Sequence, residues 1–488
     1  MIIVVLAVLV LPPLAAVVSL AVPARAAATT TSATGVASFA LVIALVPKTA
    51  HGNLSYLSGY LRADAVSVIF LLAIGFLYAA VAVYAAGYTK HLDARYVRRF
   101  YAGFNAFAWA MLAAPLMGSL ALLWIAVEVT TVVSALLVAI EDTDGAAEAA
   151  WKYLLIASAG LGLALLGTVF AYYAGAQVLG EHYNLAIQPL IQAGSRLPQT
   201  PVRLAFLLAV LGYGTKVGLF PVHTWLPDAH SQAPTPVSAM LSGALLATSF
   251  YAILRFYQVA GASLGTAFPR DTLLAFGVAS LLLASLYVFG QRDIKRLLAY
   301  SSVEHMGILA IGVSFGAPVA LAGVLLHVMA HAAAKGNAFM GAGVFTVKYG
   351  TKRIPAMRAG LSVLPWSGPL FLLTIFALSA LPPFGVFRSE FQIVAGGLGS
   401  GGNTAAAVLV VLVTVAFFGL ATAATRMLLT PAPEPPAPAE EQIPAAEPSA
   451  WMVIPVVACV AILLLLGLHP PGELTDLISR GAAQLGTR

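Results

Sequence analysis

GYGTKVGLFPVHTWLPDAHSQAPTPVSAMLSG, residues 212–243, is the stretch on which the fold turns. It extends the apolar run LLAVL (207–211) and carries Lys216 into the middle of it. Pro221 and Pro227 then follow before apolar residues resume. Proline removes a hydrogen bond from a helix interior, so a helix arriving from residue 203 has to break here. In lipid such breaks are tolerated only where protein or water encloses the freed backbone groups. A lysine within a span costs roughly 2.5–3.5 kcal/mol on insertion scales, so it needs a reason to be there. The segment therefore reads as a broken membrane helix with an ionisable group at its centre.

Composition extends this to the whole chain. Hydrophobic residues make up 60% and charged residues 9%, against about 25% charged in soluble domains. The mean hydropathy is +0.92. Lipid is the main solvent of such a surface, and the apolar runs of roughly 20 residues lack barrel-type alternation, so they are helices. The one cysteine, Cys459, excludes a disulfide framework or a Cys-ligated cluster within this chain and reads as packing. The net charge of +6 comes from basic residues scattered among membrane loops, which argues against a nucleic-acid partner. Met1–Leu20 followed by small residues imitates a secretory signal, but no Lys or Arg precedes it and the first is Arg25. It is read as a retained first span.

About fourteen spans are expected, near 1–22, 35–47, 65–87, 103–119, 120–139, 152–175, 203–222, 236–258, 272–290, 298–315, 318–346, 363–398, 404–425 and 450–468. The twelfth is interrupted by Pro382, Pro383 and Gly385, the seventh by Pro221 and Pro227. VGLFPVHTWL (217–226) and FGVFRSEFQI (384–393) echo one another at these breaks. Paired broken helices point to an inverted-repeat transporter. Loop Lys and Arg concentrate on one side, which should be cytoplasmic and leaves both termini outside. Arg255 counts there as an outside loop residue, and only Lys216, Lys335 and Arg388 fall inside spans. The Pro/Ala/Glu-rich segment Pro431–Pro448 reads as a flexible cytoplasmic tether.

Buried ionisable residues mark an ion or proton path by default. Glu128, in LLWIAVEVTTVVSALLV (122–138), and Lys216 are expected on adjacent helices, as a partly hydrated relay pair or as a static salt bridge. His327, His331 and Lys335 recur every four residues, and each step advances a helix by about 400°, so they share one stripe. Two imidazoles and an amine suit proton hopping. The rivals are helix–helix hydrogen bonding and a zinc site, the latter disfavoured because no His-Glu-x-x-His pattern is present and Lys335 would repel the cation. Glu390 follows the Pro-Pro break, where unwound backbone can hold water. The expected order runs from the cytoplasm past the histidines to Lys335 and out near Glu390. His223, Asp228 and His230, with Glu304 and His305, are placed near the cytoplasmic edge, as proton entry or as loop and cap structure. Gly397, Gly399 and Gly402 have dinucleotide-fingerprint spacing without a strand–helix unit. No cofactor, metal or nucleophilic site is read in this chain.

EAAWKYLLI (148–156), the 212–243 stretch, QRDIKRLLAYSSVEHMG (291–307) and LPPFGVFRSEF (381–391) together resemble the antiporter-like subunits of respiratory complex I and Mrp cation/proton antiporters. Within that superfamily the chain is most similar to component F of the hydrogenase 4 and formate hydrogenlyase type. The resemblance implies an all-α membrane protein of fourteen helices, with two inverted five-helix repeats and broken helices 7 and 12. Spans 1–3 would occupy residues 1–102, the repeats 103–258 and 259–426, the linker 427–449, and the last span and tail 450–488. It places Glu128 at the family's fifth-span glutamate, Lys216 at the seventh-span lysine, Lys335 at the eleventh-span lysine and Glu390 at the terminal residue of span twelve. The eighth-span lysine of many complex I members is missing, because Ala247 and Thr248 stand in that region. The implied function is proton translocation driven by redox chemistry in sister subunits, with other membrane subunits as direct partners and a hydrophilic redox arm as an indirect one. An Mrp-type antiporter or an inorganic-carbon uptake partner without redox subunits is the alternative.

Overall fold

The computed structural model describes residues 1–180, 182–431 and 444–486. Most of the 431–448 tether therefore lies outside the described residues. The chain opens with helices α1 (Ile2–Ala21), α2 (Ala24–Ile43) and the short α3 (Val46–His51). A small hairpin follows, in which β1 (Leu54–Tyr56) pairs antiparallel with β2 (Leu61–Ala63). Then come α4 (Ala65–Tyr88), α5 (Ala94–Ala113), α6 (Leu120–Val138), α7 (Asp144–Leu179), α8 (Ile187–Ala193) and α9 (Gln199–Val217). The first break separates α9 from α10 (Leu226–Gln232). α11 (Thr235–Met240) continues through a π turn at Leu241–Leu245 into α12 (Leu246–Leu264). α13 (Ala267–Tyr287), α14 (Ile294–Phe315), α15 (Pro318–Tyr349) and the one-turn α16 (Gly360–Val363) lead to the second broken helix, α17 (Ser367–Leu378) and α18 (Gly385–Gly399). α19 (Asn403–Leu428), α20 (Ala450–Leu468) and α21 (Gly472–Leu485) complete the fold.

Each of the fourteen expected apolar runs is helical, and both expected breaks are present. Eleven helices among the described residues are long and apolar enough to cross a membrane. The other three runs fall short for local reasons. α5 opens with the charged ARYVRRF, α9 begins with the polar QTPVR, and α17 has only 12 residues before the Pro-Pro break. α1 packs on α2 and α5, and Asn105 of α5 donates to Ser19 and Thr31 at 3.3 and 2.9 Å, so the first run is part of the bundle.

α14 and the continuous 235–264 helix are buried along their length, with α4 and α15 nearly so. They form the centre. α1, α13 and α19 wrap it and turn residues such as Val17, Leu286 and Val411 outward, as lipid-facing helices do. Arg255 corrects the loop placement made from sequence. It is 2% exposed within α12 and pairs with Asp64 at 2.7 Å. Asp64 also pairs with Arg62 at 3.1 Å and accepts from the Ser67 backbone N–H at 2.9 Å, capping α4. Burial opposes its charge, yet the two guanidiniums hold the Asp64 carboxyl below the usual carboxylate range. A long basic side chain near a polar run such as RFYQ reads as an edge residue, and only its partner 191 positions earlier shows otherwise. The end of the tether is anchored as well: the Glu447 carboxylate accepts from the Trp366 and Ser367 backbone N–H groups at 2.9 Å, capping α17.

Candidate proton path

The break after α9 follows from Gly218, at φ +84°, and the prolines beyond it. It leaves Lys216 on the last turn of α9, fully buried. The Lys216 ammonium donates to Thr131 Oγ1 on α6 and to the Tyr153 hydroxyl on α7, both at 2.6 Å. Tyr153 OH in turn meets Ser134 Oγ at 2.7 Å. Glu128 lies one turn before Thr131, half-buried, and accepts from Ser158 Oγ at 3.3 Å through one oxygen while its other oxygen is buried without a partner. Glu128 and Lys216 therefore stand on α6 and α9, both packed against α7, without an ion pair between them. Hydroxyls, not the carboxylate, take the ammonium protons. Thr131 and Tyr153 do not stand out in the sequence. The available signal is a threonine one helical turn from a buried glutamate.

The second cluster sits where α14, α15 and α18 meet. Lys335 is fully buried and donates to Ser301 Oγ at 2.6 Å and to the Leu298 carbonyl at 3.1 Å, both on α14. Glu304 is one turn beyond Ser301 on the same helix. His331 comes one turn before Lys335, and neither of its ring nitrogens has a hydrogen-bond partner. Its ring centre is 5.2 Å from that of His305, which is itself 5.2 Å from His327. Ser389 Oγ donates to the Val386 carbonyl at 2.7 Å, so at 2.9 Å it accepts from His327 Nδ1–H. His327 Nε2 is then left as an acceptor, and His305 Nδ1, 3.1 Å away, donates to it. His305 Nδ1 is 3.8 Å from Glu390 Oε1.

Two expectations change here. His305 and Glu304 are not at the edge: they are 0% and 2% exposed, at the heart of the cluster. The histidines also stand between Lys335 and Glu390, not ahead of Lys335, because the i, i+4, i+8 stripe points its His327 end at α18. Of the other edge candidates, Asp228 does lie at the surface, paired with Arg296 at 3.1 Å and Lys152 at 3.5 Å. His223 is buried with Nδ1 unpartnered. His230 is fully buried, its Nδ1 bonded to the Leu226 carbonyl at 2.8 Å and its Nε2 unpartnered. Nearby, Lys295 and Lys352 tie the 231–233 turn by donating to the carbonyls of Ala233 and Ser231 at 2.8 and 2.7 Å. Ala247 and Thr248 are buried, and Thr248 donates to the Ala244 carbonyl one turn earlier at 2.9 Å. The π turn beside them places Ser242 2.8 Å from Ser302 of α14.

A membrane bundle with two broken helices and rows of buried amines, imidazoles and carboxylates defines an antiporter-like protein. The sequence profile of the NADH:quinone oxidoreductase/Mrp antiporter transmembrane family matches residues 117–418, and the chain belongs to that family. The hydrogenase-4 component F homolog of Methylacidiphilum infernorum is 35% identical over 358 residues, covering 72% of this chain and 75% of that protein. NADH-quinone oxidoreductase subunit N of Desulforudis audaxviator is 30% identical over 418 residues, covering 84% and 81%. In fold, the chain matches one chain of the Mrp complex from Dietzia with a TM-score of 0.87 at 21% identity, covering 100% of this chain and 98% of that one. It matches a chain of respiratory complex I from Thermus thermophilus with a TM-score of 0.83 at 24% identity, covering 99% and 100%.

Proposed function

We propose that this chain carries protons across the membrane as the antiporter-like subunit of a complex I–related assembly of the membrane-bound hydrogenase or quinone oxidoreductase type. The carrying observation is the buried cluster of Lys335, His331, His305, His327 and Glu390, drawn from three helices and shielded from solvent. Apolar residues of similar shape would hold these helices together as well or better, so a purely structural role leaves five buried ionisable groups unexplained. Protons would enter near Asp228 and His223 on the Lys/Arg-rich, cytoplasmic side. They would load Lys216 in one half-channel and Lys335 in the other, and leave by way of Glu390. Two inverted five-helix repeats, 103–258 and 259–426, would supply the halves, each with its broken helix. Redox energy and its cofactors would come from sister subunits, and neighbouring membrane subunits would be the direct partners. The home would be the inner (plasma) membrane with both termini outside. A reporter placed after Pro431 and one at the C-terminus should then report opposite sides.

The test is proton pumping in vesicles holding the intact complex with Lys216→Ala. Pumping is expected to collapse while electron transfer by the complex continues. Undiminished pumping would falsify the proposal.

A further inference from the structure

The Glu390 end of the histidine row has a second chemistry. His305 Nδ1, His327 Nε2 and a Glu390 carboxylate oxygen lie within 4.8 Å of one another. Two of the separations are 3.1 Å, between the nitrogens, and 3.8 Å, from His305 Nδ1 to Glu390 Oε1. A tetrahedral zinc ion with bonds of about 2.0–2.1 Å holds its ligand atoms about 3.3–3.4 Å apart. The two imidazole nitrogens are within about 0.3 Å of that spacing, and the carboxylate has to swing inward about its own torsions. We propose that His305, His327 and Glu390 form a binding site for one Zn2+-class divalent cation.

Four features support it. The donor set, two imidazoles and a carboxylate with a position left open, suits zinc. The ligands come from three different helices, α14, α15 and α18, so they converge by folding and not by mere helical spacing. Ser389 holds His327 through Nδ1, which leaves the lone pair on Nε2. Zinc would displace the proton that His305 Nδ1 shares with it, that proton moving to the unpartnered His305 Nε2 or to solvent. Glu390 Oε1 is buried without a hydrogen-bond partner. A cavity of about 310 Å³, lined by Ser379, Phe387, Phe391, Leu409 and Val413, opens on Glu390.

The objection to zinc drawn from sequence concerned the His327–His331 pair beside Lys335. The ligand set is different: His331 is replaced by His305 and Glu390, and Lys335 lies eight residues from His327, about 12 Å along the helix. Zinc would occupy the same lone pairs that pass protons, so bound metal would stop the relay. That consequence rests on the proposed function, whereas the binding itself does not.

The purified assembled complex, stripped with EDTA and dialysed against Zn2+, should retain one more zinc per chain than the same complex carrying Glu390→Gln or His327→Gln. With Co2+ as the probe, the complex should gain the strong visible absorption of a tetrahedral site, absent from both variants. Ser389→Ala, which leaves all three ligands in place, should weaken binding by about 10-fold. If the histidine variant fails to assemble, Glu390→Gln carries the comparison, since it exchanges one oxygen for an amide. Equal zinc in all forms means an adventitious ion only, held by surface residues such as His51, His91 or His469, and overturns the site. No retained zinc in the parent complex overturns it too. Pumping measured on the same samples separates the two ideas: specific zinc binding with unimpaired pumping would refute the relay and leave the site standing.

Discussion

The Lys216 and Lys335 regions solve one physical problem in different ways. Each must keep an ammonium group alive inside a lipid-solvated bundle. Around Lys216 the partners are hydroxyls, Thr131 and Tyr153, with Ser134 behind them and Glu128 standing off, half-buried. Around Lys335 the amine leans on Ser301 and a backbone carbonyl, and then meets three imidazoles and two carboxylates, all buried. Hydroxyls orient a proton but do not store it near neutral pH, and imidazoles do both. On the proposed function, the first region would have one storage site with polar guides, and the second a series of them. A lone carrier is set by its immediate contacts, whereas a series survives small changes at any one member and fails when its terminus is lost.

The sharpest way to break this contrast is Lys335→Ala beside Lys335→Arg. Both should abolish pumping, with assembly and electron transfer retained, because Arg stays charged and cannot cycle a proton. If Arg restores pumping, the site is a fixed ion-pair scaffold. Next in size is Tyr153→Phe, which removes an acceptor 2.6 Å from Lys216. A hydrogen bond to a charged group contributes about 1.5–3 kcal/mol, so pumping should fall by roughly 10-fold or more. A normal initial rate in vesicles would show that hydroxyl guidance does not matter there. Smaller is Ser389→Ala in the series, which frees His327 Nδ1 without removing an imidazole. It should slow pumping only a few-fold, and a loss as complete as that of Lys335→Ala would refute redundancy in the series. Smallest is Glu447→Gln, which weakens the cap of α17. It should lower thermal stability in detergent by about 1 kcal/mol and leave pumping unchanged.

Much of this was legible from sequence because proline, glycine and buried charge announce themselves locally. Pro221, Pro382 and Pro383 marked both breaks, and Lys216, Lys335 and Glu390 stood out against leucine and alanine. What was not legible depends on which helix lies in the middle. The polar opening of α14, QRDIKR, drew Glu304 and His305 toward the surface. Only the packing of α13, α15, α10 and α18 around α14 shows them enclosed. The order of the series was missed for the same reason: spacing places residues on one stripe, but the neighbour at each end of the stripe is tertiary information. Arg255 and Asp64, 191 residues apart, carry no shared pattern at all.

The tail expected after the last span is a helix, α21, that ties distant segments of the bundle together. α21 lies against α3, α4 and α15. Gln258 donates to the Gln484 carbonyl at 2.8 Å, and both Arg480 and Gln484 reach Asn53 at 3.2 Å. Packing at Gly481 is so close that a methyl group there would meet Leu325 Cδ1 at 2.8 Å. The Val66 backbone N–H also reaches Gln484 Oε1 at 3.4 Å, so residues 472–485 close over a face of α4 that lies 418 positions earlier. α21 is thus a clasp between segments far apart in sequence, and Gly481→Val is expected to loosen it by forcing a side chain against Leu325 and Ile69.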